Sequence, residues 1–269
     1  MQKKKLKNSL LSVIVPAYKQ EKTIRRDLKY IESVLKKIRF NYELICVVDG
    51  KIDKTFQEAK KIKSKKIKVV GYKNNHGKGY AVRYGMVRSK GDLVAFIDAG
   101  RDLDPNGLSM MLEHFEWYDA DIVVGSKRHP VSKVDYPWQR EVLSSGYQIL
   151  VKILFGLKIR DSQVGMKFFK RKVLEDVLPR LLVKTFAFDI EILAVAHYLG
   201  YKRIFEAPIN IAWVEENSIL SKSLYKTVLG MFVDTLAVFY RLKLLHYYDK
   251  KNKRKWVYDK DLEFNVNIR

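Results

Sequence analysis

Five short runs of β-branched and apolar residues recur through the first half of the chain, and each stops at a polar residue or a glycine. They are "LSVIVPA" (11–17), "YELICVV" (42–48), "KIKVVGY" (66–72), "DLVAFID" (92–98) and "ADIVVGS" (120–126). Helical patterns separate them: 21–38, "KTFQEAKKIKS", "GKGYAVRYGMVRS" and "PNGLSMMLEHFEWY". Apolar runs without alternation fit strands covered on both faces, and strands that alternate with helices build a mostly parallel sheet. The expected fold class is therefore α/β. Ligands of such sheets bind beyond the carboxyl ends of the strands. The residues that end the runs are thus the first candidates for function: Pro16, Ala17 and Tyr18, then Asp49 and Gly50, Asp98, and Gly125 and Ser126.

The second half reads differently. Helical patterns cover 137–157, a stretch around Lys172–Leu182, and 186–200, while 201–214 alternates like a strand. From 223 to 248, apolar residues occupy most of a helical wheel, with Lys222, Lys226, Gly230 and Asp234 as a narrow polar line. Its uninterrupted apolar stretch falls short of the roughly 20 residues that span a bilayer. With the basic tail "KKNKRKW" behind it, this helix suits a membrane interface; a core or dimer contact is the alternative. The expected division is a catalytic domain over 1–214 and an appendage over 215–269.

Charge narrows the partners. The 269 residues carry 52 Lys+Arg against 30 Asp+Glu, a formal net charge of +22. This favours an anionic membrane surface, phosphorylated ligands or nucleic acid. No RNA-module aromatic motif accompanies the charge, so nucleic acid is not expected. Cys46, the single cysteine, has no intrachain partner, which favours a reducing compartment. No signal peptide is expected, because the apolar segment after the basic start meets Pro16 too early. The five histidines, His76, His114, His129, His197 and His246, show no metal-ligand spacing. No Ser-His-Asp or Cys-His arrangement points to nucleophilic catalysis.

The stretch "FIDAGRDLDP" (96–105) holds three carboxylates in different settings. Asp98 ends a buried strand, where an uncompensated charge is costly, so a bound ion or donor is expected there. Asp104 precedes Pro105 and a helical pattern, the signature of an N-cap followed by proline. Asp53 is likewise expected to cap the helix that begins near Thr55.

The strings "VIVPAYKQE", "VVDGKIDKT", "NNHGKGYAVRYG", "FIDAGRDLDP" and "VVGSKRHP" occur in the order and spacing of family 2 glycosyltransferases of the GT-A fold. Downstream, Arg140, "SSGYQILVKILFGLKIRDSQVGMKFFKR" and "FAFDIEILAVAHYLGYKRIFEAPI" resemble the polyprenyl-phosphate (dolichyl-phosphate) glucose and mannose synthases, the glucosyl members more closely. The likeness covers roughly residues 11–214, and linked motifs in order are far more specific than any one alone.

The resemblance implies Mg2+ or Mn2+ at the donor diphosphate, with a nucleotide sugar as co-substrate. Asp98 stands at the first position of the family's Asp-x-Asp, Gly100 replaces the second, and Asp102 is expected to share the metal. Donor contacts are implied at Pro16, Ala17, Tyr18, Glu21, Asp49, Lys78, Asp98, Ala99 and Gly100. Asp49 would meet the base or ribose, and Lys78 the phosphates. Lys19-Gln20 stands where Asn-Glu is usual, and Val48 where the first of two aspartates is usual. Acceptor-phosphate or diphosphate contacts are implied at Arg128, Arg140, Ser144, Gln163 and Lys167. Asp161, Asp189 and Glu191 would orient these cations.

An anionic polyprenyl phosphate needs no deprotonation, whereas a hydroxyl acceptor would need a base, for which Asp189 is the candidate. The implied activity is an inverting transfer of a hexose, glucose from UDP-glucose ahead of mannose from GDP-mannose, onto a polyprenyl phosphate. The implied place is the cytoplasmic face of a membrane, peripheral or monotopic, with the C-terminal helix open to homo-oligomer contacts. A family 2 transferase acting on a polysaccharide hydroxyl, and a non-catalytic module of the same fold, remain as alternatives.

Overall fold

The computed structural model describes residues 9–100, 103–134, 138–211, 224–249, 255–260, 262 and 264–268. All five apolar runs form strands: β1 (Leu10–Ala17), β2 (Asn41–Val48), β3 (Ile67–Gly71), β4 (Leu93–Ile97) and β5 (Ile122–Ser126). The helices between them are α1 (Ile24–Leu35), α2 (Thr55–Lys60), α3 (Lys78–Arg88) and α4 (Gly107–Trp117). A two-residue strand, β6 (Lys133–Val134), precedes α5 (Trp138–Phe155). Next come β7 (Met166–Lys170), α6 (Arg171–Val177) with a short 3-10 turn (Leu178–Arg180), α7 (Phe188–Tyr198), β8 (Ile204–Pro208) and β9 (Asn210–Ile211).

Seven strands make one sheet in the order β3-β2-β1-β4-β7-β5-β8. All pairs are parallel except those of β7, which runs antiparallel to both β4 and β5. Apolar side chains leave both faces of each central strand, as the absence of alternation predicts. In β1, Leu11, Val13 and Val15 face the layer of α1 and α4, while Ile14 faces that of α3 and α7. The parallel strands therefore end along one edge, and the antiparallel β7 begins there. That strand was not legible in "DSQVGMKFF", and it brings Met166 opposite Ile97, beside Asp98.

The C-terminal helix α8 (Leu224–Lys243) packs on α5 and α7. Tyr147 of α5 hydrogen-bonds Thr235 at 2.6 Å, Phe155 meets Phe239 at 6.3 Å between ring centroids, and Val238 and Leu242 enter the core. The expected basic tail is in part a hairpin, β10 (Lys255–Asp259) and β11 (Phe264–Ile268), and Leu262 between its strands is buried against Tyr80. The expected boundary at 214/215 lies outside the described residues. Among the described residues no helix is long and apolar enough to cross a membrane.

Candidate active site

The ends of β1, β2 and β4 and the first turns of α3 and α7 meet at one place. At the end of β1, the carbonyl of Ala17 accepts the Asp49 N–H at 2.9 Å, which holds the first two strand ends together. Tyr18 follows, partly exposed, and Lys19 takes a left-handed φ of 53°. Glu21, expected at the donor, accepts the Lys54 N–H at 3.0 Å and so steadies the entry to α2. Asp53, expected as the cap of that helix, stands one residue before the N-cap Lys54, and its carboxylate accepts the Thr55 N–H at 3.0 Å.

Asp49 is almost fully buried and serves its own neighbourhood. Its two oxygens accept from Tyr72 Oη at 2.8 Å, Asn75 Nδ2 at 2.8 Å, the His76 N–H at 2.8 Å and the Gly77 N–H at 3.0 Å. Four bonds use up the acceptor capacity of a carboxylate. Asp49 thus holds the "NNHGKG" loop in shape, and the base or ribose contact expected of it has no free oxygen to use. The loop it holds is pressed against the segment before α7. A Cβ on Gly77 would lie 2.5 Å from the Lys184 carbonyl oxygen, and one on Gly79 would lie 2.4 Å from Phe188 Cβ. Only glycines allow that approach, and the approach sends Lys78 inward.

There Lys78 Nζ lies 2.9 Å from Asp98 Oδ2 and 3.1 Å from Asp189 Oδ2. Lys167, fully buried on β7, completes the chain by pairing with the other oxygen of Asp189 and with the Val164 carbonyl. Two carboxylates and two ammonium groups thus alternate, with no net charge. Burial disfavours the Lys78 charge, but Asp189 and Asp98 together outweigh it and raise its pKa. In Lys167 burial wins over Asp189, with Lys78 adding repulsion, and the pKa is lowered. The acceptor contact expected of Lys167 does not match its position, since none of its surface is open. Nor does Asp189 match a general base, being buried between two ammonium groups. Both act through Lys78.

Asp98 differs from its neighbours. Its Oδ1 is buried with no hydrogen-bond partner. Its backbone N–H bonds the Gly165 carbonyl at 2.8 Å, and a Cβ on Gly165 would fall 1.7 Å from Asp98 Oδ2. Gly165 is a site residue that the sequence alone did not single out; its signal was a glycine directly before a strand that pairs with the one ending in Asp98. Ala99 packs on the core, and Gly100 takes a φ of 124°, a conformation strained for an aspartate. The missing second aspartate therefore has a backbone reason. Asp102 lies outside the described residues. Asp104 is not the N-cap expected of it: α4 starts later, with Asn106 at the cap position, and Asp104 Oδ1 accepts the Asn106 N–H at 3.0 Å in the turn that leads into the helix.

The acceptor-side residues gather at the end of β5. Asp161 receives the Lys127 and Gln163 N–H groups, both at 3.1 Å, and so fastens the 161–165 loop to the β5 end. Arg128 reaches Ser145 Oγ at 2.8 Å and Ser144 Oγ at 3.3 Å on α5. Arg128 Nε and Gln163 Nε2 are buried donors with no partner. The side chain of Arg140 lies outside the described part of α5. Glu191, expected to orient the acceptor-side cations, instead accepts the Leu182 and Val183 N–H groups and the Tyr248 hydroxyl, with Arg241 Nη1 at 4.0 Å, and is a structural staple.

Glycosyl transferase family 2 is matched over residues 12–178, the segment that supplies the ends of β1, β2, β4 and β5. The chain belongs to glycosyl transferase family 2. It is 32% identical to the dolichyl-phosphate β-glucosyltransferase of Dictyostelium discoideum over 228 residues, covering 79% of this chain and 69% of that protein. It is 33% identical to the Drosophila melanogaster enzyme of the same name over 221 residues, 76% of this chain and 67% of the other. Among solved structures, the glucosyl-3-phosphoglycerate synthase of Mycobacterium tuberculosis, in complex with Mn2+, UDP-glucose and phosphoglyceric acid, superposes with a TM-score of 0.64. The identity is 16%, over 94% of this chain and 84% of that one. The fold is GT-A, and this family 2 member is a glycosyltransferase enzyme.

A divalent cation is a group this family 2 site can accept. The unpartnered Asp98 Oδ1 is a hard oxygen donor, and Mg2+ or Mn2+ needs only one or two carboxylates when phosphates complete its shell. Among the described residues no cluster of three His, Cys, Asp or Glu adds further ligands. Asp98 would therefore carry the described protein side of that shell.

Proposed function

We propose that this family 2 enzyme transfers a hexose, glucose from UDP-glucose, to a polyprenyl phosphate at the cytoplasmic face of a membrane. The observation that carries the acceptor class is the pair of buried, unpartnered donors, Arg128 Nε and Gln163 Nε2, on loops that Asp161 ties together. Buried donors left unpaired cost about 1–3 kcal/mol each. An anionic phosphate is a ligand that would satisfy both, and arginine suits it through its planar fork. The similarity to dolichyl-phosphate β-glucosyltransferases supports the same acceptor and favours glucose over mannose.

In this reading, Asp98 holds a divalent cation that would act as a Lewis acid on the departing diphosphate. Lys78, kept protonated by Asp98 and Asp189, supplies fixed positive charge at the same end of the sheet. Arg128, positioned by Ser144 and Ser145, holds the acceptor phosphate with Gln163, and Asp102 and Arg140 add to the metal and phosphate contacts. Pro16, Ala17 and Tyr18 bound the nucleoside. The acceptor oxygen is already anionic and attacks the sugar C1 in a single displacement that inverts it, so no side chain has to remove a proton. That agrees with an Asp189 committed to two lysines.

The test incubates the purified chain with detergent-dispersed polyprenyl phosphate, Mn2+ and either labelled UDP-glucose or labelled GDP-mannose. Label from UDP-glucose should enter the organic phase. Label confined to water-soluble products would overturn the lipid acceptor, and preferential transfer from GDP-mannose would overturn the sugar.

A further inference from the structure

Helix α8 has two different faces. Its inner face reaches the active-site layer: Asp234 accepts the Thr185 hydroxyl at 2.6 Å, just ahead of the helix that carries Asp189, and Thr235 bonds Tyr147. Its outer face presents Leu229, Phe232, Val233, Leu236 and Tyr240 at 40–56% exposure, a stripe at helical spacing, continued by Leu244 at 65%. The neighbouring α5 does the same, with Ile149 at 62% and Ile153 at 75% exposure. Isolated exposed apolar residues are ordinary, but stripes on two adjoining helices mark an interaction surface.

Charge identifies what covers it. Where α7 and α8 both end, a cavity of about 140 Å3 opens over Phe155 and Leu242, lined by His197, Lys202 and Lys243. Lys202 Nζ lies 3.2 Å from His197 Nε2 and 3.4 Å from Nδ1. Burial, with the charges of Lys202, Lys243 and Lys158, holds the His197 imidazole below its ordinary pKa. The neighbouring carboxylate, Asp249, is engaged by the Tyr198 hydroxyl. The negative helix ends favour some positive charge here, yet the lysines gathered around His197 repel one another. Lys152, exposed one residue before Ile153, extends the basic rim. A second copy of a chain with a net charge of +22 would bring the same cations against these. An anionic lipid surface brings the opposite charge together with an apolar layer.

We propose that the outer faces of α5 and α8 lie on an anionic bilayer, with a phospholipid phosphate headgroup in the cavity of His197, Lys202 and Lys243. Leu244, Tyr240 and Ile153 then enter the acyl boundary, and the axis of α8 lies in the membrane plane. Asp234, at the active-site layer, stands about 13 Å along that axis from Lys243. The catalytic pocket is thereby held at the depth where a lipid phosphate is presented. This placement builds on the lipid-acceptor reading, but its test does not use turnover.

The full chain is sedimented with vesicles of phosphatidylcholine alone, or with about one-third phosphatidylglycerol added. The account expects strong binding to the anionic vesicles only. Lys202→Glu with Lys243→Glu, and separately Leu236→Glu with Leu244→Glu, should each weaken it at least about tenfold with thermal unfolding unchanged. Lys63→Glu with Lys65→Glu, exposed lysines just after α2, should bind like the parent chain. Equal loss in that control, undiminished binding of either test pair, or a chain that dimerises without lipid and ignores vesicles would overturn the proposal. Glucose transfer to detergent-dispersed acceptor that persists alongside failed vesicle binding would leave the proposed function standing and remove only this surface.

Discussion

The ends of β2 and β4 carry the same residue for opposite ends. Asp49 and Asp98 each close a buried parallel strand, and both face the α3 entry loop. Every acceptor position of Asp49 is filled by that loop. Asp98 gives one oxygen to Lys78 and keeps the other unpartnered. Burying a carboxylate is costly unless something satisfies it. In Asp49 the fold itself does so, which makes the residue a scaffold; in Asp98 the remaining demand falls on a ligand, which makes the residue a site.

The largest effect that can break this comparison comes from Gly165→Ala. Its Cβ would fall 1.7 Å from Asp98 Oδ2, so the carboxylate must be displaced. Transfer should drop to background at a stability cost of about 1–3 kcal/mol, as overpacking commonly gives; near-normal turnover would mean that Asp98 is not needed where it stands. Next is Asp98→Asn, which keeps shape but removes charge. It should lower kcat on the order of a thousandfold, the weight of several kcal/mol of lost charge stabilisation, with the unfolding midpoint little changed.

Asp49→Asn should show the reverse pattern. Its amide nitrogen would turn donors toward either the His76 or the Gly77 N–H, whichever oxygen it replaces, costing about 1–3 kcal/mol of stability in denaturant unfolding while most turnover survives. A stable Asp49→Asn protein that fails to bind donor would make Asp49 the ligand contact and erase the distinction. The smallest effect belongs to Arg128→Lys, which keeps the charge and loses the fork toward Ser144, Ser145 and the acceptor. A rise of about tenfold in acceptor KM with donor binding intact is expected, measured with polyprenyl phosphate as the varied substrate.

Much of this was legible in the sequence, for a physical reason. A parallel sheet covered on both faces needs long apolar runs, and such runs name their own ends, so β1 to β5 and the strand-end residues could be read directly. Asp53 and Asp104 were legible as residues of the turns that lead into α2 and α4, because such contacts are local, but the cap positions themselves fall at Lys54 and Asn106. What escaped depends on partners distant in sequence. Lys167 was expected at the acceptor phosphate, but β7 enters the sheet antiparallel and buries it against Asp189. Gly165 has no local reason to be glycine; its reason is the Asp98 side chain across the strand pair. Asp49 and Glu191 looked available because their partners, the Gly77 and Leu182 N–H groups, sit in loops that a one-dimensional pattern does not place. Gly100, where the family has an aspartate, was visible as a departure, and the backbone φ of 124° supplies its cause.

The distinction between the two aspartates is tested most directly by titrating UDP-glucose into the parent chain, Asp98→Asn and Asp49→Asn by calorimetry, with and without Mn2+. The account predicts Mn2+-dependent binding in the parent and in Asp49→Asn, and loss of that dependence in Asp98→Asn. Mn2+-dependent binding of equal strength in Asp98→Asn would contradict it.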